Sequence, residues 1–293
     1  MKENVFKSVA ELISICQTED KSIHEVMLDQ EMNMTGLSKD EIYERMAHHF
    51  NTMEKAIQDG VNGVTSKTGL TGGDAVLLQN YLASGKALSG ELLLDAVSKA
   101  VATNEVNAAM GKICATPTAG SAGVVPGVLF SLKNRLQLSR TDMLNFLLTA
   151  GAFGFVVANN ASISGAAGGC QAEVGSAAAM AAGAIVEAQG GTPQQSAEAF
   201  AICMKNMLGL VCDPVAGLVE VPCVKRNAAG ASNAIVSADM ALAGVTSRIP
   251  TDEVIDAMYK IGQTMPSALR ETGRGGLAGT PTGQRIKQQI FGD

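Results

Sequence analysis

Polar and apolar positions recur with a helical period along most of the chain. Val5, Phe6, Val9, Leu12, Ile13 and Cys16 fall on one face of a helix. Two helix starts follow. In Ser22-Ile-His-Glu25 and Ser38-Lys-Asp-Glu41 the serine caps the third amide while the glutamate reaches back, the pattern of a capping box. The second of these helices is expected to run to about Asp59 and to stop at Gly60. Further helices are expected over 74–84 and 91–110, and a buried one over 142–158. A polar, glycine-rich break covers 159–169, and a second buried helix covers 171–189. Thr192-Pro193 restarts a helix, with Thr as N-cap and Pro at its first position, to end at Gly209. Two more helices are expected over 227–242 and 251–265, and after Pro266 the glycine-rich tail reads as loop. Alternating β-branched runs are rare and no internal repeat is visible. The fold class expected is all-α, a single helical domain over residues 1–293. Residues 1–60 form a charged flank that reads as a small lobe or a surface for docking a partner.

Composition narrows the core. The chain has 293 residues, of which 46% are apolar, with 42 Ala, 32 Gly and no Trp. A core built from such small side chains suits closely packed helices. Residues 1–60 carry 6 basic and 12 acidic side chains, and the remainder carries 16 of each. Without a basic stripe, nucleic acids and anionic membranes are excluded as partners. The stretch 151–200 holds only three charges, Glu173, Glu187 and Glu198, and is expected to be buried. The longest apolar run, Met143–Ala158, has sixteen residues and falls short of a membrane span. The first residues lack the apolar stretch of a signal peptide. Six Cys without an export signal point to the reducing cytoplasm, where Cys serve as free thiols or metal ligands.

Three loops have a composition that is costly unless used. Thr116-Pro-Thr-Ala-Gly-Ser-Ala-Gly123 lets a ligand approach the backbone, and its amides and hydroxyls suit an anion. It is not a Walker A loop, because no Gly-Lys-Ser/Thr follows. The second loop, Asn159 to Cys170, sets two Asn, two Ser and a terminal Cys between very apolar helices. Cys170 falls at a helix N-terminus, which favours a thiolate. The third runs from Cys212 to Cys223 and is followed by Lys225, Arg226 and Asn227. Cys16 and Cys203 lie on apolar helix faces and read as core residues, while Cys114 fits either role. His24, His48 and His49 all lie in the acidic flank, and no nucleophile elbow occurs.

Cys170, Cys212 and Cys223 are separated by 42 and 11 residues, which is not the close pairing of zinc sites. Electron-transfer clusters normally take four Cys. A cluster on three Cys leaves one iron open to act as a Lewis acid. A metal that merely ties three loops together, or a scaffold chain that docks a catalytic partner, fits the same residues.

Several longer blocks sharpen this. They are Ser66-Lys-Thr-Gly-Leu-Thr-Gly-Gly-Asp74, 115–123, 159–175, 210–227, Ile261-Gly-Gln-Thr-Met-Pro266 and Arg270-Glu-Thr-Gly-Arg-Gly-Gly276. In these the chain resembles the α chains of bacterial iron–sulfur-dependent L-serine dehydratases (L-serine deaminases), over nearly its whole length. The resemblance implies a helical catalytic domain, an oxygen-sensitive [4Fe-4S] cluster with one open iron, and no pyridoxal phosphate. It maps the cluster ligands onto Cys170, Cys212 and Cys223, and it implies a separate β chain as partner. The tail ends Ile290-Phe-Gly-Asp293, so the C-terminal Cys that caps the open iron in some single-chain members is expected to be absent.

L-Serine would bind the open iron through its hydroxyl, while a base removes the Cα proton. The expected donors to its carboxylate are Thr118, Ser121 and the amides around Gly120, with Thr116 in the same loop. Asn160, Ser162 and Ser164 are expected at the amino group or the cluster sulfides. Lys225 and Arg226 are expected to offset cluster charge or bind carboxylate, with Lys225 a candidate base and the β chain an alternative source. A related desulfidase acting on cysteine remains the nearest rival.

Overall fold

The computed structural model describes residues 5–292. Its frame is α1 (Val9–Glu19), α2 (Ile23–Thr35), α3 (Lys39–Val61), α4 (Asp74–Ala83), α5 (Glu91–Ala108), α6 (Val124–Arg135) and α7 (Arg140–Asn160). It continues with the short α8 (Gly165–Gly168), α9 (Ser176–Ala188), α10 (Pro193–Lys205), α11 (Cys223–Leu242), α12 (Thr251–Thr264) and α13 (Pro281–Phe291). Among the described residues there is no β-strand, only isolated bridges of Thr65 with Gly72 and of Cys212 with Arg270. The expected all-α class holds.

At the centre lies α9, packed on α7, α10 and α11. Its Ala177, Ala178, Ala179, Ala181, Ala182 and Ala184 are wholly buried. Small side chains let neighbouring backbones come close. A Cβ at Gly183 would lie 2.4 Å from the ring of Phe153 on α7, and that ring stacks on Phe200 of α10 with centroids 5.1 Å apart. By length and composition α7 would cross a membrane, yet 67% of its most apolar stretch is buried inside the protein, as in a core helix.

The acidic flank shares this core. Phe6, Leu12, Ile23 and Val26 join the cluster that contains Phe153 and Val156. Two carboxylates fasten the flank. Glu187 accepts from Ile23 N at 2.7 Å and from Thr149 Oγ1 at 2.6 Å. Asp252 accepts from the amides of Val9 and Ala10 at 2.8 and 2.9 Å. Two of the three charges in the bare stretch 151–200 thus serve as anchors, since Glu198 likewise accepts from Ser247 N.

Several boundaries differ from the sequence expectation, each for a local reason. Helix α3 does not stop at Gly60 but continues to Val61. Gly60 is instead the contact point of α3 with α5, where a Cβ would lie 2.3 Å from the Ala102 carbonyl oxygen. Gly60→Ala is therefore expected to destabilise the chain by about 1–3 kcal/mol through overpacking, read as a lower urea midpoint. Helix α10 ends at Lys205 rather than at Gly209. The helix expected from 171 opens with one π-helical turn, Gln171–Gly175, before α9 begins. Helix α11 starts at Cys223, four residues before the expected Asn227, so Cys223, Lys225 and Arg226 are helical. Two cations in a first turn run against the helix dipole, which hides this start from a sequence reading. After Pro266 the tail is not loop throughout. Thr280 caps α13 with Pro281 next to it, the same signature as Thr192-Pro193.

Candidate metal centre

Cys170, Cys212 and Cys223 come from three separate segments and are 3%, 3% and 8% exposed. Cys170 leads into the π-helical turn, a local distortion often found at functional sites. Gln171 locks that turn: its Nε2 donates to the Gly168 and Met258 carbonyls at 2.9 Å, and its Oε1 accepts from Gly209 N at 2.9 Å. The tail sets Cys212. Its amide donates to Leu269 O at 2.8 Å, and Glu271 N donates to Cys212 O at 2.7 Å. Cys223 opens α11. None of the three is in a disulfide.

Burial pushes the Cys170 thiol up to about 11 and the Cys223 thiol up to about 12. Cys212 is pushed higher still, by burial first and then by Cys170. The three thiols are thus near enough for each ionisation to oppose the next. Arg226 pulls Cys170 and Cys223 the other way. Its side chain is 16% exposed, and its guanidinium lies 2.7 Å from Asp213 Oδ1 and donates to Val211 O at 2.7 Å. Asp213 also accepts from Leu277 N at 2.7 Å.

Sequence reasoning did not assign Glu173, Glu271 or Asp213 to this centre. Glu173, Cys212 and Glu271 bring three ligand-type atoms within 4.8 Å of one another, and they are the only group of three that close among the described residues. Burial raises the Glu173 carboxyl above its usual range, and the Thr118 hydroxyl opposes that rise. Thr118 Oγ1 donates to Glu173 Oε1 at 2.9 Å. A Cβ at Gly165 would lie 2.5 Å from Glu173 Oε2 and 3.0 Å from Cys212 Sγ, so a larger residue there would displace the Glu173 carboxylate. The available signal was Glu173 itself, a lone charge in an otherwise apolar stretch three residues after Cys170.

The Thr116–Gly123 loop lies against Glu173. Gly120 faces Glu173, and the Gly120 carbonyl accepts from Asn104 Nδ2 at 3.0 Å and Asn227 Nδ2 at 2.8 Å. Ser121 is wholly buried, and its hydroxyl donates to Thr116 O at 3.0 Å, inside the loop. The amides of Ala119, Gly120 and Ser121 have no acceptor among the described residues. Unpaired amides are donors that an anionic ligand could use.

The other expected residues lie further out. Ser162 and Ser164 are half-buried just before Gly165, where Ser162 Oγ accepts from Ser164 N at 3.2 Å. Asn160 ends α7 in solvent and donates to Lys7 O at 2.8 Å. Lys225 is exposed and pairs with Asp74 at 2.6 Å. Neither Asn160 nor Lys225 has a contact with the thiol group.

The donor set fits a multi-iron cluster. Around one zinc, sulfurs at 2.3 Å would lie about 3.8 Å apart. The group within 4.8 Å contains only one of the three thiols, Cys212, with Glu173 and Glu271, so the three Sγ atoms are not gathered around a single point. Three thiols, no fourth Cys beside them and a neighbouring guanidinium suit a larger anionic cluster.

Fold and site together define an all-α protein with a buried thiol, carboxylate and guanidinium centre of the kind that holds metal. The chain belongs to the family described as serine dehydratase alpha chain, whose profile matches residues 18–278. It is 72% identical over 98% of its length to the probable L-serine dehydratase alpha chain of Bacillus subtilis, covering 96% of that protein. It is 43% identical over 98% of its length to the L-serine dehydratase alpha chain of Peptoniphilus asaccharolyticus, covering 99% of it. It is also 41% identical over 93% of its length to L-serine dehydratase 1 of Escherichia coli, but spans only 61% of that longer protein.

Proposed function

We propose that this chain is the catalytic α subunit of a cytoplasmic L-serine dehydratase that works with a separate β chain as a heterodimer. Cys170, Cys212 and Cys223 would hold a [4Fe-4S] cluster, and the reaction would need no pyridoxal phosphate. The observation that carries this reading is three buried thiols beside Arg226, in a chain of the serine dehydratase alpha family. When bound, the cluster supplies an iron without a protein ligand, a Lewis acid for the leaving hydroxyl.

The chain's own residues bind and orient. The free amides of Ala119, Gly120 and Ser121 take the substrate carboxylate, and the Ser121 hydroxyl holds their loop by its bond to Thr116 O. Thr118 is oriented by Glu173 at the edge of this site. Asn227 and Asn104 fix the Gly120 carbonyl and so restrain the loop that carries these amides. Ser162 and Ser164 lie on the approach to Gly165, within the segment that would face the amino group. Arg226 neutralises part of the cluster's charge through Cys170.

The Cα proton needs a base. Lys225 pairs with Asp74 at the surface, His24 and His48 sit on α2 and α3, and His49 on α3 reaches Cys114 Sγ at 3.7 Å rather than the three thiols. The reading therefore assigns the base to the β chain, which would pack where the site opens. Loss of the Cα proton and the hydroxyl gives 2-aminoacrylate and water. Tautomerisation and uptake of one water then release pyruvate and ammonia.

The anaerobically loaded chain, mixed with its β chain, is expected to form pyruvate from L-serine far faster than from L-cysteine or L-threonine. Sulfide release from L-cysteine as the dominant reaction would transfer the assignment to a desulfidase.

A further inference from the structure

The Ser66–Asp74 segment is a run of hydroxyls and glycines to which the proposed reaction gives no task. It folds as a tight turn, with Ser66 N donating to Thr71 O at 2.9 Å and Gly69 N to Ser66 O at 3.1 Å. Two of its hydroxyls meet one carboxylate, while the third, on the buried Ser66, lies 3.1 Å from Thr68 Oγ1. Thr68 Oγ1 lies 2.9 and 2.8 Å from the two oxygens of Glu220, and Thr71 Oγ1 donates to Glu220 Oε2 at 3.1 Å.

Glu220 is 6% exposed and forms no ion pair with a described residue. Lys225 pairs with Asp74 and Arg226 with Asp213. A buried carboxylate served by hydroxyls alone depends on them for its place. The Glu220 backbone carbonyl accepts from Val224 N at 3.0 Å, in the first turn of α11. Beyond Cys223, Lys225 Nζ reaches Asp74 Oδ2 at 2.6 Å. Asp74 opens α4, and its amide and that of Ala75 donate to the wholly buried Glu105 at 2.8 and 3.2 Å. One segment therefore grips the chain on both sides of Cys223, three residues before it and two after.

We propose that the Ser66–Asp74 turn is a positioning clamp for Cys223, holding it through Glu220 on one side and Lys225 on the other. The clamp keeps the third thiol in place whether or not a cluster is bound. Its value to catalysis rests on the cluster reading above, but its geometry can be tested without a cluster.

The test compares the wild-type chain with Thr68→Val/Thr71→Val, Thr68→Ser/Thr71→Ser and Lys225→Met. Thr68→Val/Thr71→Val removes the hydroxyls at nearly constant shape. Lys225 is two-thirds exposed, so its replacement leaves the fold intact. In the unloaded chain under reducing conditions, alkylation by iodoacetamide is followed at each cysteine by peptide mass spectrometry. The loaded chain is then exposed to air and its remaining iron is counted with time. Expected is a several-fold faster alkylation of Cys223 in the valine variant, with Cys170 and Cys212 near wild type, and recovery in the serine variant. Lys225→Met shifts Cys223 in the same direction by less, and the loaded valine variant loses iron several-fold faster. Equal acceleration at all three thiols would mean general loosening and would overturn the clamp, as would wild-type behaviour in both the valine and Lys225→Met variants. A wild-type chain that takes up no iron, beside variants that still expose Cys223 selectively, would sink the cluster reading and leave the clamp standing.

Discussion

Cys212→Ala is expected to cut the iron bound by the anaerobically reconstituted chain from about four atoms to background, with complete loss of pyruvate formation. Cys170→Ala and Cys223→Ala are expected to do the same. Three thiols are the minimum for a cluster with one open iron, so the effects are not graded. The internal control is Cys203→Ala. Cys203 is wholly buried in α10, accepts from Asn233 Nδ2 at 3.1 Å and lies outside the thiol group. Its replacement by Ala loses some packing but keeps the iron. Iron and sulfide assays on the four purified variants decide the matter. Full loading of Cys212→Ala would remove it from the ligand set.

Arg226→Gln carries the second large effect, and it precedes any cluster. Removing the guanidinium leaves Asp213, whose side chain is 4% exposed, with the Leu277 amide as its remaining donor. Breaking one side of a buried pair typically costs about 3–5 kcal/mol, because the remaining charge stays desolvated. Urea unfolding of the unloaded variant should show that loss as a lower midpoint at unchanged slope. Asp213→Asn/Arg226→Gln should recover part of it, since both charges are then gone. Unchanged stability in the single variant would contradict this account of the pair. In the loaded chain the same variant should also hold its cluster less well, because the cation nearest Cys170 is missing.

The contrast between Arg226 and its neighbour shows what a sequence can and cannot tell. Lys225 and Arg226 look equivalent in the chain. On a helix, successive side chains diverge by about a quarter turn, so one reaches Asp74 at the surface and the other the buried Asp213. Expecting α11 to begin at Asn227 concealed that difference. The end of α7 behaves likewise. The helix continues through Asn160, which points this residue at the Lys7 carbonyl and leaves the half-buried Ser162 and Ser164 to lead into Gly165. The all-α class was legible because periodicity, capping boxes and the scarcity of β-branched alternation agree. The three cysteines stood out because each was expected in a polar loop between apolar helices; the structure buries all three, with Cys223 in the first turn of α11 rather than in a loop. Glu271 was not legible, because its place beside Cys212 depends on a tail pairing 59 residues away in the chain. Nor was the role of Gly60, since a glycine that ends a helix and one that admits a neighbouring backbone look alike in sequence.

The central claim is that three thiols hold a cluster whose open iron meets the substrate. It is tested most directly by the EPR spectrum of the anaerobically reconstituted and reduced chain, recorded with and without L-serine. The account predicts a cluster signal whose g-values shift on addition of L-serine and not of L-alanine, which lacks the hydroxyl. A cluster signal that L-serine leaves unchanged, in the chain alone and with the β chain present, would contradict it.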